Sequence, residues 1–306
     1  MKIAVVGSYG VGLTMRVPRM PAPGETLSDG TFDDGHGGKG SNQAIGAARL
    51  GAGVSFLTAI GDDGYGVAAK QLWQREGVDS RHVVVVEDAA TMVGFILVEP
   101  SGENRIVIAP GALDALDVSA VETFREEIAS SDVLVVSMEI PLDAVVAALR
   151  IGREEGTLTL LNPAPAKRLP DEAWKYIDVV TPNQSEAPVL LGLQADHGLD
   201  DAELVSRLVS RSGARVILTR GEAGALLATS DGVTAVAPVR VEDVVDTTGA
   251  GDSFTAALAV GLAGGAELAA AARGAAHAAA HTVTIAGVIP ALPTRADLPF
   301  PIGANR

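Results

Sequence analysis

The run Asp246-Thr-Thr-Gly-Ala-Gly-Asp252-Ser-Phe carries the strongest chemical signal in the sequence. Gly249, Ala250 and Gly251 bring little or no side chain, so their N–H groups can crowd around an anion. The helix expected to start there adds partial positive charge. Together they would form a preorganised hole for charge developing on a phosphoryl group. Asp252 falls in the first helical turn, where its carboxylate could accept a proton from an attacking hydroxyl. The plainer reading is that Asp252 caps the helix, a task that Thr247 and Thr248 could also perform. A second signal is Gly37-Gly38-Lys39-Gly40-Ser41-Asn42, at the head of a helical pattern over Ser41–Leu50. It is not a Walker A loop, because Lys39 is followed by Gly rather than Ser or Thr. Nor does Gly7-Ser-Tyr-Gly10-Val-Gly12 fit the dinucleotide fingerprint. A Gly-Gly pair before Lys and Asn suggests backbone pressed close to a polar ligand, with Lys39 and Asn42 offering donors to hydroxyls. Such clusters also occur simply as helix starts.

The pair GGKGSNQAIGAARLGA and DTTGAGDSFTAAL, in this order, resembles the two signatures of the ribokinase-like (PfkB-type) carbohydrate kinases. Further matches lie between them: Glu139 in SMEIPL, NPAPAK over 162–167, TPNQSEA over 181–187, and TRGEAGA from Thr219. The resemblance implies that Asp252 is the catalytic base and that Gly249, Ala250 and Gly251 form the anion hole. It implies that Gly38, Lys39, Asn42 and Glu139 hold sugar hydroxyls. Asn183 and Glu186 match residues that organise Mg²⁺ and its waters, and their spacing puts both on one face of a helix start. Thr219, Gly221, Gly251 and His277 match the ATP side, although a packing role suits His277 as well. Asp246, the carbonyl of Thr248 and the loop around Gly287 match a monovalent-cation site, which would favour K⁺ activation.

The first loop departs from that pattern. Ribokinases typically carry an Asn and an Asp after the first strand, where the Asp clamps two ring hydroxyls; here those positions are Gly10 and Gly12. Losing a charged acceptor would cost roughly 1.5 to 3 kcal/mol of binding to a ribose-like diol. The expected acceptor is thus a bulkier or differently hydroxylated sugar, with Tyr9, Arg16 or His36 filling the gap. A nucleoside kinase would need an aromatic slot, for which Tyr9, Phe32, Met92 and Phe95 are available. A phosphosugar kinase would draw on Arg16, Arg19 and Arg105. A non-catalytic binding protein on the same fold would have no use for a base beside a phosphate hole.

The elements that must position these residues alternate along the chain. Short apolar runs, Ile3–Val6, Val54–Thr58, Val83–Val86, Val133–Ser137, Leu158–Leu161, Val179–Thr181, Val216–Thr219 and Ala225–Ala228, read as strands, with a further strand-like run at Val239–Val245. Helical patterns fall at Val67–Glu76, Val118–Ala129, Leu142–Glu154, Ala202–Arg211 and Ala250–Leu262, besides Ser41–Leu50. Such alternation predicts a mainly parallel sheet flanked by helices, here a three-layer ribokinase-like α/β fold. Residues 12–35 and 91–110 break the rhythm and read as antiparallel strands forming a small β lid. Residues 1–11, 36–90 and 111–306 make the main domain. A small sheet leaves an apolar face exposed, and the resemblance implies a homodimer through the lid.

Composition sets the outer bounds. The chain has 306 residues, 47% of them apolar and 20% charged, enough for one large core with a small appendage. Its net charge of −15 argues against a nucleic-acid partner. The absence of cysteine excludes disulfides and thiolate chemistry and fits the cytoplasm. The first apolar run ends at Gly7, too short for a signal-peptide core. The Ala-rich segment 266–280 carries Glu267, Arg273 and His277, so it reads as a packed helix with no membrane role.

Overall fold

The computed structural model describes residues 1–194 and 196–299. The last residues assigned to the main domain, 300–306, lie outside the described residues. In chain order the first strands are β1 (Lys2–Val6), β2 (Gly10–Arg16), β3 (Thr31–Gly37), β4 (Gly53–Leu57) and β5 (Ala59–Gly61). Then come β6 (Val78–Asp79), β7 (Val84–Val86), β8 (Val93–Val98), β9 (Asn104–Ala109) and β10 (Val133–Ser137). The last are β11 (Leu158–Asn162), β12 (Val179–Val180), β13 (Arg215–Thr219), β14 (Ala225–Thr229) and β15 (Gly232–Val236).

A nine-stranded sheet runs in the order β15-β14-β13-β12-β11-β10-β1-β4-β6. Its strands are parallel from β13 through β6, and the β13-β14 and β14-β15 pairs are antiparallel. Residues of β1 alternate between two layers. Ile3 and Val5 join one apolar cluster, whereas Ala4 and Val6 join the other. Strands buried on both faces need apolar residues at every position, which is why these runs lack a polar alternation.

One layer contains α1 (Lys39–Arg49) and α2 (Gly64–Glu76). On the other side the chain forms α3 (Val118–Thr123), α4 (Arg125–Ala129), α5 (Leu142–Glu155), α6 (Glu186–Leu191) and α7 (Asp201–Ser212). Finally α8 (Ala250–Ala263), α9 (Leu268–Thr282) and α10 (Val288–Ala291) return to the first layer. The alanines that set the Ala-rich segment apart are packing residues: Ala271, Ala272, Ala275 and Ala278 are buried on α9, which lies against α8. Among the described residues no helix is long and apolar enough to cross a membrane.

A separate four-stranded sheet has the order β3-β2-β8-β9. Its two outer pairs are antiparallel, but β2 and β8 run parallel. This corrects the expectation of an antiparallel sheet throughout. Each hairpin opens with the strand that leaves the main body, so the two opening strands lie side by side in one direction. Other expectations also needed correction. Val239–Val245 is irregular, with Val244 and Val245 60% and 57% exposed. Its backbone is tied instead to the end of α9, where the Val245 amide donates to the Val283 carbonyl at 2.8 Å. The single helix expected over Val118–Ala129 breaks at buried Phe124, whose amide bonds only three residues back, to Val121.

Candidate active site

Strand β1 sits between β4 and β10, with the next strands of this sheet in chain order, β4 and β6, laid down on one side of it and the later ones, β10 to β15, on the other. At such a switch point the carboxyl ends of neighbouring strands open a crevice. The segments following β1, β10, β11 and β12 all arrive there.

The loop into α1 is moulded onto the turn after β1. Gly38 has φ +88°, and a Cβ built on it would lie 2.5 Å from the Tyr9 Cα. Only glycine meets both conditions. Beyond it, the Lys39 amide donates to Glu139 Oε2 at 2.9 Å, and the Ser8 hydroxyl donates to the same oxygen. Glu139, just beyond β10, is thus held by two donors.

The start of α8 faces this loop. Gly249 has φ +83° and precedes the helix, which no side chain caps. Asp252 is therefore not a cap. It is 6% exposed, and its carboxylate accepts from Asn42 Nδ2 at 2.8 Å and from Gln43 Nε2 at 2.9 Å. Gln43 also donates to Asn162 Oδ1 at 3.1 Å, which ties the end of β11 into the network. Burial pushes the Asp252 carboxyl above the usual range, against the opposing pull of Lys39 and Asn42. Lys39 is raised in turn, mainly by the Asp252 charge. The backbone at Gly251 borders open space, whereas the Ala250 amide turns back to the Thr247 carbonyl at 3.3 Å. Asn42 Oδ1, Gln43 Oε1 and Ser253 Oγ are buried without a partner. Each such atom costs about 1 to 3 kcal/mol unless a ligand or water meets it, so the crevice is built to be filled.

Asn183 and Glu186 form a reciprocal cap on α6. Asn183 Oδ1 accepts from the Glu186 and Ser185 amides at 2.9 Å and from the Ser185 hydroxyl at 2.7 Å. Glu186 Oε2 accepts from the Asn183 amide at 2.9 Å. Burial raises the Glu186 carboxyl, and it also senses Lys39 and Asp252. Thr219 bridges to Asn183, and its amide donates to the Pro182 carbonyl at 2.9 Å. Gly221 follows with φ +54°. His277 is half-buried on α9. Asp246 links two loops, accepting from the Thr248 amide at 2.9 Å and the Gly287 amide at 3.0 Å. Burial raises this carboxyl, but those hydrogen bonds outweigh it and hold it low. Among the described residues no three acidic or histidine side chains converge as a metal cage.

This set of residues resembles a known pattern along its whole length. The model of the pfkB family carbohydrate kinases matches residues 1–295. The chain belongs to this family. A ribokinase of Haemophilus influenzae is 35% identical over 295 residues, 96% of both chains. A bifunctional ribokinase/ribose-5-phosphate isomerase A of Fructilactobacillus sanfranciscensis is 37% identical over 296 residues. That match covers 96% of this chain, which spans 55% of the longer protein. Among solved structures, Arabidopsis thaliana ribokinase complexed with ribose and ATP aligns with a TM-score of 0.90 at 28% identity, covering 97% and 96% of the two chains. The protein is a carbohydrate kinase, transferring phosphate to a hydroxyl.

Within this carbohydrate kinase, Lys39, Asn42, Glu139 and Asp252 come together as one cluster, with Glu186 close enough to be felt. Of the side chains expected to fill the gap at Gly10 and Gly12, Arg16 shares the face of β2 that presents those glycines, and its charge is felt at Asp246, but Tyr9 and His36 do not converge there. Tyr9 is buried beside Trp73, and His36 pairs across from Val11, on the sheet face opposite Gly10 and Gly12. The aromatic slot for a nucleobase does not form either. Phe32 and Phe95 lie exposed on that opposite face, while Met92 is buried. Arg19 is occupied by a two-pronged pair with Glu25. Gln43 and Ser8 were missed by sequence reasoning, and Asn162 was noticed only as the start of the NPAPAK run, without a role. The signal for Gln43 was present, since it follows Asn42 in the same helical turn.

Gln43→Leu removes one donor from the Asp252 carboxylate. The Asp252 pKa should rise further, as ¹³C carboxyl titration by NMR would record; an unchanged titration would mean that Gln43 does not stabilise the charge.

Proposed function

We propose that this kinase transfers the γ-phosphate of ATP to a hydroxymethyl group of a sugar, with Asp252 as general base. The observation that carries this is a buried carboxylate, held by two amide side chains beside Lys39, at the start of an uncapped helix. The acceptor oxygen attacks the γ-phosphorus, its proton passes to the Asp252 carboxylate, and ADP leaves. Gly249, Ala250 and Gly251 make the anion hole at the helix start, with the helix dipole behind them; the Gly251 backbone borders open space, and the Ala250 amide would have to leave the Thr247 carbonyl to reach the developing charge. Positioning and charge neutralisation are the main demands of this reaction. Gly38, Lys39, Asn42 and Glu139 hold the sugar; the unpartnered Asn42 Oδ1 suits a hydroxyl donor.

Asn183, Thr219, Gly221, Gly251 and His277 serve the nucleotide. Asn183 Oδ1 is already filled by three donors, so Asn183 and Glu186 suit Mg²⁺ only through its water shell. When bound, Mg²⁺ neutralises the phosphates. The Asp246 carboxylate, drawing the Thr248 and Gly287 loops together, suits a K⁺ ion beside the anion hole. We place the enzyme in the cytoplasm, in keeping with its lack of cysteine.

The acceptor differs from a simple ribose-like diol. Gly12 lies in register with Gly35 on one side and Gly94 on the other, so bare backbone crosses three strands of the small sheet. A Cβ on Gly12 would make only ordinary contacts, with Ile96 Cδ1 at 3.7 Å and the Gly35 carbonyl oxygen at 3.9 Å, whereas one on Gly10 would strike Met92 at 2.3 Å. Position 12 therefore has room for a carboxylate that position 10 could not match. We take this space to receive substituent bulk on the sugar. The small sheet, which begins at Gly10 and runs to Gly37 rather than over 12–35 as expected and is completed by β8 and β9, then acts as a lid. Its edge strand β9 is exposed along its whole length, with Ile106, Val107 and Ile108 in water. This favours a homodimer through the lid.

Asp252→Asn should lower kcat by roughly 10² to 10⁴ with nucleotide binding kept; near-normal turnover on a panel of sugars and nucleosides would remove Asp252 from its role. Gly12→Asp should lower the KM for ribose by roughly ten- to a hundredfold, the worth of about 1.5 to 3 kcal/mol. An unchanged KM would mean that position 12 does not touch the sugar. Sedimentation should report a dimer that Val107→Glu dissociates; a monomeric unaltered protein would exclude the lid interface.

A further inference from the structure

We infer that Tyr9 and His36, with Trp73 and Ser41, brace the sugar-binding loop from behind, so that the Tyr9–His36 hydrogen bond is a positioning contact for the acceptor. This inference rests on the assignment of Lys39 and Asn42 to the sugar.

The contacts form a closed path. Tyr9 is fully buried, yet its hydroxyl meets His36 Nδ1 at 2.7 Å. Its ring stands edge-on to Trp73 at 5.1 Å, and Trp73 Nε1 donates to Ser41 Oγ at 2.9 Å. The Ser41 amide returns to the Ser8 carbonyl at 2.9 Å, next to Tyr9. His36, next to last in β3, stands at one end of the loop and Ser41 sits at the other. Gly38, packed on the Tyr9 Cα, and Lys39 lie between them. Both ends continue into the active-site cluster, since Ser8 donates to Glu139 and Asn42 to Asp252.

Apolar packing alone explains none of the polar atoms. A phenyl ring at position 9 would fill the same volume without burying a hydroxyl, which needs a partner. Burial and the nearby Asp63 keep that hydroxyl protonated, so it donates. His36 accepts because it is neutral: burial and Arg75 of α2 push its pKa down, against Asp34 on its own strand. The His36 ring also borders a cavity of about 540 Å³, shared with Asp34 and with Asp63 and Tyr65 at the start of α2. Protons can therefore reach it. Below its lowered pKa, His36 carries a proton on Nδ1 and no longer accepts from Tyr9.

The test compares Tyr9→Phe, His36→Leu, their double variant and His36→Asn, whose Oδ1 can replace Nδ1 as acceptor. D-ribose serves as probe acceptor with ATP, and ADP binding is measured by calorimetry. Tyr9→Phe and His36→Leu should each raise the KM for ribose about five- to tenfold, with kcat and the ADP Kd within twofold. The double variant should be no worse than either single one, and His36→Asn should stay near the unaltered protein. In the unaltered protein the ribose KM should climb as pH falls through the lowered His36 pKa, on the acid side of an ordinary histidine, and Tyr9→Phe should abolish that climb. A fall in Tm with an unchanged ribose KM, or additive losses, would reduce the pair to core filling and overturn the inference. Failure of the kinase reading is distinct, because the unaltered protein would then consume no ATP with ribose or with any other sugar of the panel.

Discussion

A buried carboxylate is the constraint on which this structure depends. Asp252 sits in an interior that opposes its charge, and a charge there survives only when hydrogen-bonded and opposed by a cation. Asn42 and Gln43 supply the hydrogen bonds and Lys39 supplies the charge. All three come from the first turn or so of one helix, α1, while Asp252 comes from the first turn of another. Two helix starts must therefore meet head to head. Much of the remaining architecture can be understood as what brings them together.

The parallel sheet does this by topology. Because β1 leads through β2 and β3 into α1, and β10 and β11, the next two strands on one side of it, lead into Glu139 and Asn162, the sheet delivers three segments to one edge. Small residues let the helices approach: α1 packs on α8, and a Cβ at Gly46 would come within 2.9 Å of the Ala256 Cβ. The Ala-rich α9 then backs α8 closely. Arg49, near the end of α1, fixes the far end of the assembly. It pairs with Glu76 through two hydrogen bonds of 2.8 Å and donates to the carbonyls of Ile289 and Leu292.

How much of this could be read from the sequence depended on whether function and backbone made the same demand. Asp252, Lys39 and Asn42 stood out because glycines beside them mark backbone approaching a ligand, and glycine at Gly38 is required by both φ and space. Gln43 was hidden because an amide in a helix looks like any polar residue until its partners across the fold are known. Asn183 and Glu186 were legible in position, yet their local bonds follow a capping pattern that any helix start can use. Tyr9 was misplaced for another reason. Alternation along a strand decides which side a residue serves, and the sequence does not say which side faces the sugar. Val239–Val245 has the apolar composition of a strand, but among the described residues it pairs with no strand and is tied instead to the end of α9.

That same alternation divides the small sheet between two tasks. One face of β2 presents Gly10 and Gly12, and the other presents Val11, across from His36. A substitution at position 12 can alter what the bare face admits while leaving the Tyr9–His36 contact in place. A substitution at position 36 would disturb the anchorage of the loop without changing the surface offered by Gly12, Gly35 and Gly94. Selectivity and positioning are thus separable within one strand pair, because a residue on one face cannot reach the ligands of the other. Position 10 is the exception. Its hydrogen is wedged against Met92, a buried member of the second apolar layer, so there the demand of packing overrides any contact that a side chain could make.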